Sequence, residues 1–280
     1  MNIIIADNSG FCFGVNRAIN KANAELAKGK GIYSLGSLIH NPEVIDDLAN
    51  KGLQTINDVN DCENNQNILI RTHGVPENIY EVLKCKNANI IDMTCPFVKR
   101  VQFIANKYYK EGYKIIIIGD KKHPEVIGVN GWVDNSAIIF ESADTAKKFK
   151  PIDKACVVAQ TTLNEDTFNK IVDILKDKVK NIKVFDTICN ATKDRQKSAY
   201  ELSKYVEMMI VIGGYNSSNT KKLYSICKGN CNNTIFVENK DELPKINYKK
   251  YANIGITAGA STPDWIIQEV IKKLNDKTKD

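Results

Sequence analysis

Short apolar runs punctuate the chain, and each leads into polar residues and then a helix-like stretch. The order repeats three times, and internal repetition outranks any single motif in reading a fold. The first copy has runs at Ile3–Ile5, Ile32–Leu35, Leu53–Ile56 and Ile68–Arg71. The second has Ile90–Asp92, Lys114–Gly119, Ala137–Glu141 and Cys156–Ala159, and the third Val184–Asp186, Met208–Gly213, Thr234–Glu238 and Asn253–Ile256. Runs of this length bounded by polar residues predict buried strands. Strands alternating with helices predict parallel α/β sheets, whose ligands bind beyond the carboxyl ends of the strands.

The repeat carries chemistry at fixed places. Cys12, Cys95 and Cys189 each follow the opening run of a copy and precede a helix-like stretch, with Pro96 suited to a first helical position. A step of 28 residues from each leads to His40, His123 and Ser217. The fourth runs end in Thr72-His73-Gly74, Gln160-Thr161-Thr162 and Gly259-Ala260-Ser261-Thr262. Because the first strand precedes Cys12 while its partners lie at the C-terminus, the chain is expected to close on itself. The expected modules are 13–95, 96–188, and 189–280 together with 1–12. The polar tail Asn275–Asp280 is expected to fray.

Composition narrows the function classes. In 280 residues, 43% hydrophobic and 26% charged content fit an ordinary globular protein. A net charge of +6 is mild, and its lysines are scattered, so nucleic acid is not an expected partner. The N-terminal MNIIIADNSG has no basic leader, and runs such as Ile115–Ile118 and Met208–Ile212 are too short to span a bilayer. A cytoplasmic protein with reduced thiols is expected, without a membrane partner. Eight cysteines in that setting point to metal or catalysis for some and packing for the rest.

Spacings of 83 and 94 residues between the matched cysteines fit no local zinc or ferredoxin pattern; the register of the repeat is what joins them. Helix N-termini favour thiolates. Three thiolates bind an iron–sulfur cube one ligand short of four, leaving an iron open as a Lewis acid. The alternative is that they are small buried hydrophobes, as most free cysteines are. Cys62, Cys85, Cys156, Cys227 and Cys231 fall outside the register, and Cys227 and Cys231 read as packing. Arg17, Arg100 and Arg195, about a turn into each helix, either add positive charge near the thiols or pair with Asp7, Asp92 and Asp186. All three histidines of the chain sit at strand-end tips. His40, His73 and His123 with Ser217, Asn219 and Ser261 offer the donors that an anionic phosphate needs. Glu125, two residues after His123, is a candidate proton donor; a helix-start carboxylate is the plainer reading. Glu43 echoes it, with Asn41 changing its direction.

GFCFGV, THGVP, DMTCPFV, GDKKHPEV, AQTTL, DTICNAT, NSSNT and TAGASTPDW resemble the motif set of the 4-hydroxy-3-methylbut-2-enyl diphosphate reductase family, from Ile3 to about Trp265. The resemblance implies an α/β trefoil of three pseudo-equivalent modules with parallel-rich sheets around a central iron–sulfur site. It implies one [4Fe–4S] cluster held by Cys12, Cys95 and Cys189 with one open iron site. The implied reaction removes the allylic hydroxyl of (E)-4-hydroxy-3-methylbut-2-enyl diphosphate with two electrons and two protons, giving isopentenyl and dimethylallyl diphosphates. Glu125 is then the proton donor, with Thr161 orienting or relaying to it and His123 assisting. His40, His73, His123, Thr161, Ser217, Ser218, Asn219 and Ser261 hold the substrate. Thr220 stands where the family often has serine, and the hydroxyl is kept. A basic surface suits an acidic ferredoxin or flavodoxin as electron donor. Two rival readings remain: a three-thiolate zinc hydrolase of a phosphorylated substrate, and a redox-sensing anion-binding module without turnover.

Overall fold

The computed structural model describes residues 1–276. From the N-terminus, β1 (Asn2–Ile5) leads into α1 (Phe13–Leu26). Then follow β2 (Ile32–Leu35), α2 (Pro42–Asn50), β3 (Leu53–Ile56), β4 (Asn67–Ile70), α3 (Glu77–Cys85) and β5 (Asn89–Asp92). The second series is α4 (Pro96–Lys110), β6 (Lys114–Ile118), α5 (Pro124–Gly131), β7 (Ile138–Phe140), α6 (Ala143–Lys147), β8 (Ile152–Ala159), α7 (Glu165–Lys176) and β9 (Val179–Val184). The third is α8 (Asn190–Ser203), β10 (Met208–Ile212), α9 (Ser218–Asn230), β11 (Thr234–Val237), β12 (Asn253–Ala258) and α10 (Asp264–Asp276).

These strands make three four-stranded sheets, all parallel, ordered β3-β2-β4-β5, β7-β6-β8-β9 and β11-β10-β12-β1. The order is the same each time, and the strand that ends at a cysteine segment is always the last. In the third sheet that place falls to β1, which pairs with β12 in register Asn2 to Asn253. The α/β fold with three like modules is therefore present. By compactness the chain forms two units. The larger is Arg17–Ile39 with Asp47–Cys189 and holds the first two sheets; the smaller is Met1–Asn16, His40–Asp46 and the chain from Asn190 onward, with the third.

The central strands β6 and β10 are almost wholly apolar because helices cover both faces. In β6, Ile116 and Ile118 pack with Phe168, Ile171 and Leu175 of α7, while Ile115 and Ile117 pack with Val101 and Ala105 of α4 and Val126 of α5. In β10, Met208, Ile210 and Ile212 meet Ile266, Ile267 and Val270 of α10; Met209 and Val211 meet Ala199 and Leu223. The period-two alternation of a strand assigns each isoleucine its helix.

Two expectations are corrected. The expected run Val184–Asp186 begins where the edge strand Val179–Val184 ends, and exposed lysines at 180 and 183 mask that strand in the sequence. Thr187 then fastens the following chain to β8, its hydroxyl donating to the Ala159 carbonyl at 2.6 Å and accepting the Ala159 N–H at 2.8 Å. The expected fraying fails at Asn275 and Asp276, which are helical; the rest of that tail lies outside the described residues. Among the described residues no helix is long and apolar enough to cross a membrane.

Candidate functional site

The three register-matched cysteines hang from the backbone in one way. The Cys95 N–H donates to the Thr72 carbonyl at 3.0 Å, and the Cys189 N–H to the Thr161 carbonyl at 3.0 Å, both in the larger unit. In the smaller unit the Cys12 N–H donates to the Ala260 carbonyl at 3.1 Å. Each acceptor lies two residues past a strand end, at β4, β8 and β12. Each cysteine immediately precedes a helix, α4, α8 or α1, whose N-terminal partial charge favours thiolate. All eight cysteines are free thiols. The matched three are partly exposed, whereas burial pushes the Cys156 and Cys227 thiols up to about 12, which keeps them protonated. Cys227 and Cys231 are buried beside Ala199 and Leu223, as packing requires. Each of the three is thus a partly exposed thiol at a helix N-terminus, the kind of donor that binds iron–sulfur clusters.

Arg17 and Arg195 reach backbone carbonyls in front of the thiols. Arg17 Nη2 donates to the carbonyls of Met93 (3.2 Å) and Thr94 (2.7 Å), next to Cys95. Arg195 Nη2 donates to the Gly10 carbonyl at 2.8 Å, two residues before Cys12. Asp92 is engaged by Lys99 at 2.7 Å. These guanidinium groups hold the segments in front of the thiols.

In the larger unit, Glu125 is 2% exposed and sits in the first turn of α5. Its two oxygens accept separately from Thr161: Oε1 from the backbone N–H at 2.6 Å and Oε2 from the hydroxyl at 2.7 Å. Burial pushes its carboxyl up to about 7, against both Thr161 hydrogen bonds, which act to lower it. His123 caps α5: its Nδ1 accepts the Glu125 N–H at 3.2 Å, which puts the proton of the neutral ring on Nε2. The His73 ring lies edge-on to His123, centroids 5.3 Å apart. This approach needs small residues. A Cβ on Gly131 would fall 2.3 Å from the Pro76 Cβ, and Trp132 Nε1 donates to the Val75 carbonyl at 3.1 Å. Gly74 has φ +71°, and Arg71 closes its turn, accepting the Gly74 N–H at 3.0 Å.

In the smaller unit, Ser217 caps α9 by accepting the Thr220 N–H at 3.3 Å, and Ser218 opens that helix. Asn219 is 4% exposed, yet both its Oδ1 and Nδ2 are buried without a hydrogen-bond partner. An orphaned amide at a helix N-terminus is what an oxyanion ligand would satisfy. Ser261 Oγ donates to the His40 carbonyl at 3.0 Å, and that carbonyl lies where a Cβ on Gly214 would be 2.6 Å away. The 28-residue echo is not perfect here. Asn41, not His40, accepts the Val44 N–H at the start of α2, so His40 stands one residue outside the helix start that His123 and Ser217 occupy. Glu43 accepts from Asn239 Nδ2 at 2.8 Å. Sequence reasoning missed Asn41 and Arg71; their signal is their place beside the tips, an N-cap residue before Pro42 and a cation at the end of β4.

The sequence profile of the LytB protein family matches residues 3–275. The chain is 51% identical over 279 residues to the 4-hydroxy-3-methylbut-2-enyl diphosphate reductase of Clostridioides difficile (strain 630), covering 99% of this chain and 100% of that protein. It is 50% identical over 278 residues to the reductase of the same name from Thermoanaerobacter sp. (strain X514), covering 98% of this chain and 96% of that one. Among solved structures it resembles the Plasmodium falciparum E-1-hydroxy-2-methyl-but-2-enyl-4-diphosphate reductase, with TM-score 0.91, 33% identity, and coverage of 98% and 86%. It also resembles an (E)-4-hydroxy-3-methyl-but-2-enyl diphosphate reductase described as the terminal enzyme of the non-mevalonate pathway. There the TM-score is 0.71 at 39% identity, with coverage of 99% and 100%.

Proposed function

The chain belongs to the LytB protein family, and from that premise we propose that it is an iron–sulfur reductase acting on (E)-4-hydroxy-3-methylbut-2-enyl diphosphate. Cys12, Cys95 and Cys189 hold one [4Fe–4S] cluster, within modules 13–95, 96–188 and 189–280 plus 1–12. The observation that carries this reading is their common suspension from carbonyls two residues past a strand end, each at a helix start. When bound, the cluster supplies electrons and an open iron that makes the substrate hydroxyl a better leaving group.

The chain's own residues do the rest. The overall change breaks the allylic C–O bond, forms a C–H bond and releases water, consuming two electrons and two protons. Glu125, poised near neutrality and held by both Thr161 groups, delivers protons, which a carboxyl at its ordinary value does less readily at pH 7. His123 presents Nε2–H as a donor. His40, His73, Ser217, Ser218, Asn219 and Ser261, with the first turn of α9, bind the diphosphate, and that remote binding energy positions the reacting carbon. The electrons come from an acidic ferredoxin or flavodoxin, and the chain works in the cytoplasm, where thiols stay reduced. Anaerobic purification with iron and acid-labile sulfide counted, followed by turnover with dithionite, tests the reading. Iron with sulfide and release of the two isoprenyl diphosphates are expected. Zinc without sulfide, or a loaded chain that binds the substrate without reducing it, would overturn it.

A further inference from the structure

Helix α4 starts at Cys95 and carries an unusual outer face. Lys99, Arg100, Phe103, Lys107 and Lys110 fall on one stripe at helical spacing. The helix contains no acidic residue, so it brings four cations to a chain whose net charge is +6. At their centre Phe103 is 68% exposed. The opposite side of the helix packs normally, through Val98, Val101, Ile104 and Ala105. Complementing the helix dipole accounts for Lys107 and Lys110 in the last turn. Lys99 at the other end pairs with Asp92 at 2.7 Å, but the dipole accounts neither for Arg100 beside it nor for an aromatic ring left in water. Beside Phe103 lies a cavity of about 480 Å³, lined also by Tyr80, Trp132, Lys107 and Lys110, with the Lys99–Asp92 pair at its edge. Tyr80 and Trp132 form a ring pair at 6.0 Å in its wall. A protruding aromatic, an apolar socket and a basic rim form the anatomy of a transient protein interface.

We propose that this face of α4 is the docking surface for a small acidic one-electron carrier protein. The inference rests on the reductase reading, which needs two electrons from outside the chain. Two successive dockings supply them, and each carrier departs oxidised by one electron. Phe103 is eight residues from Cys95, about 12 Å along the helix axis, so a carrier seated there lies close to the thiol end. A second copy of this chain is a poor occupant, because a self-paired contact would set one row of cations against another.

The test uses the cluster-loaded chain and a purified acidic ferredoxin. Binding is titrated over a range of salt, and turnover is driven in parallel by that ferredoxin or by dithionite. The pair Lys107→Glu and Lys110→Glu should weaken ferredoxin binding at least about tenfold at low salt and flatten its salt dependence. Phe103→Ala should weaken binding while keeping the salt slope. Dithionite-driven turnover should be unchanged in both. The pair Lys170→Glu and Lys272→Glu, with the same change in net charge elsewhere, should bind as the wild type does. Equal ferredoxin affinity and salt slope in all variants would overturn the docking surface while leaving the reductase reading intact. Absence of dithionite turnover in the wild type would overturn that reading instead, and the binding titration would still decide the face. A dimer that disappears with Phe103→Ala, or tighter binding of a single-stranded oligonucleotide than of ferredoxin that is lost with Lys107→Glu and Lys110→Glu, would also overturn the proposal.

Discussion

Replacing Glu125 with Gln separates the physics of this site from its chemistry. The carboxyl is 2% exposed, and burial raises it from 4.5 to about 7. The folded chain therefore holds this proton more tightly than the unfolded chain does. Its stabilising contribution is fully present below pH 4.5 and is lost as pH rises through about 7. Ionising the folded form across that window costs about 3 kcal/mol. Gln stays neutral at every pH. Its amide oxygen accepts the Thr161 N–H, and the Thr161 hydroxyl turns from donating to accepting. Urea unfolding of the reduced, metal-free chain at intervals from about pH 5 to about pH 8.5 reads the difference. Glu125→Gln should match the wild type at the acid end and exceed it by about 2–3 kcal/mol at the alkaline end. In the loaded enzyme the same variant should lose turnover by about 100-fold or more while keeping its affinity for the diphosphate. Parallel stability curves would refute the burial argument, and undiminished turnover would refute the proton-donor role.

Thr161→Val removes the hydroxyl bond that acts to lower the Glu125 carboxyl, so the fall in stability should move to higher pH in the same unfolding series, and Thr161→Ser should restore it. Asn219→Leu removes a buried amide that has no partner, so the ligand-free chain should gain about 1–2 kcal/mol in urea unfolding while inorganic pyrophosphate binding weakens in calorimetry. Gly74→Ala forces a side chain onto φ +71° and places its Cβ 2.6 Å from Gln102 Nε2 and 3.1 Å from Thr94 Cγ2. It should cost about 1–2 kcal/mol or more, and adding Gln102→Ala should recover the steric part but not the backbone part.

How much of this was legible in the chain depended on which force wrote each signal. Central strands of a doubly covered parallel sheet are apolar on both faces, so β2, β6 and β10 stand out as continuous runs. The edge strand β9 buries little and carries exposed lysines at 180 and 183, so the apolar pattern shows only its last residue. The tips were legible because strand ends in such sheets are where polar residues gather. Their caps were not, since His40 and Asn41 are neighbours of similar polarity and only the hydrogen bond to Val44 shows which one caps α2. Arg17 and Arg195 were legible by position, but the carbonyls of Thr94 and Gly10 to which they donate carry no sequence signature.

The repeat itself encodes a backbone position more than a set of side chains. Thr72, Thr161 and Ala260 occupy equivalent places, two with a hydroxyl and one without, yet each lends its carbonyl to a cysteine N–H at 3.0–3.1 Å. Because the carbonyl does that work, the side chains at those places are free to diverge. The Thr72 hydroxyl donates to the Leu38 carbonyl, whereas the Thr161 hydroxyl donates to Glu125. The same logic applies to the two carboxylates that follow a histidine tip. Glu43 and Glu125 both sit one residue after a helix-opening proline, but Asn239 donates to Glu43 in a half-buried setting, whereas Glu125 is buried against a threonine. Three similar modules thus supply similar frames, and burial of one of these two carboxyls raises it toward neutrality, as the proposed proton-donor role requires.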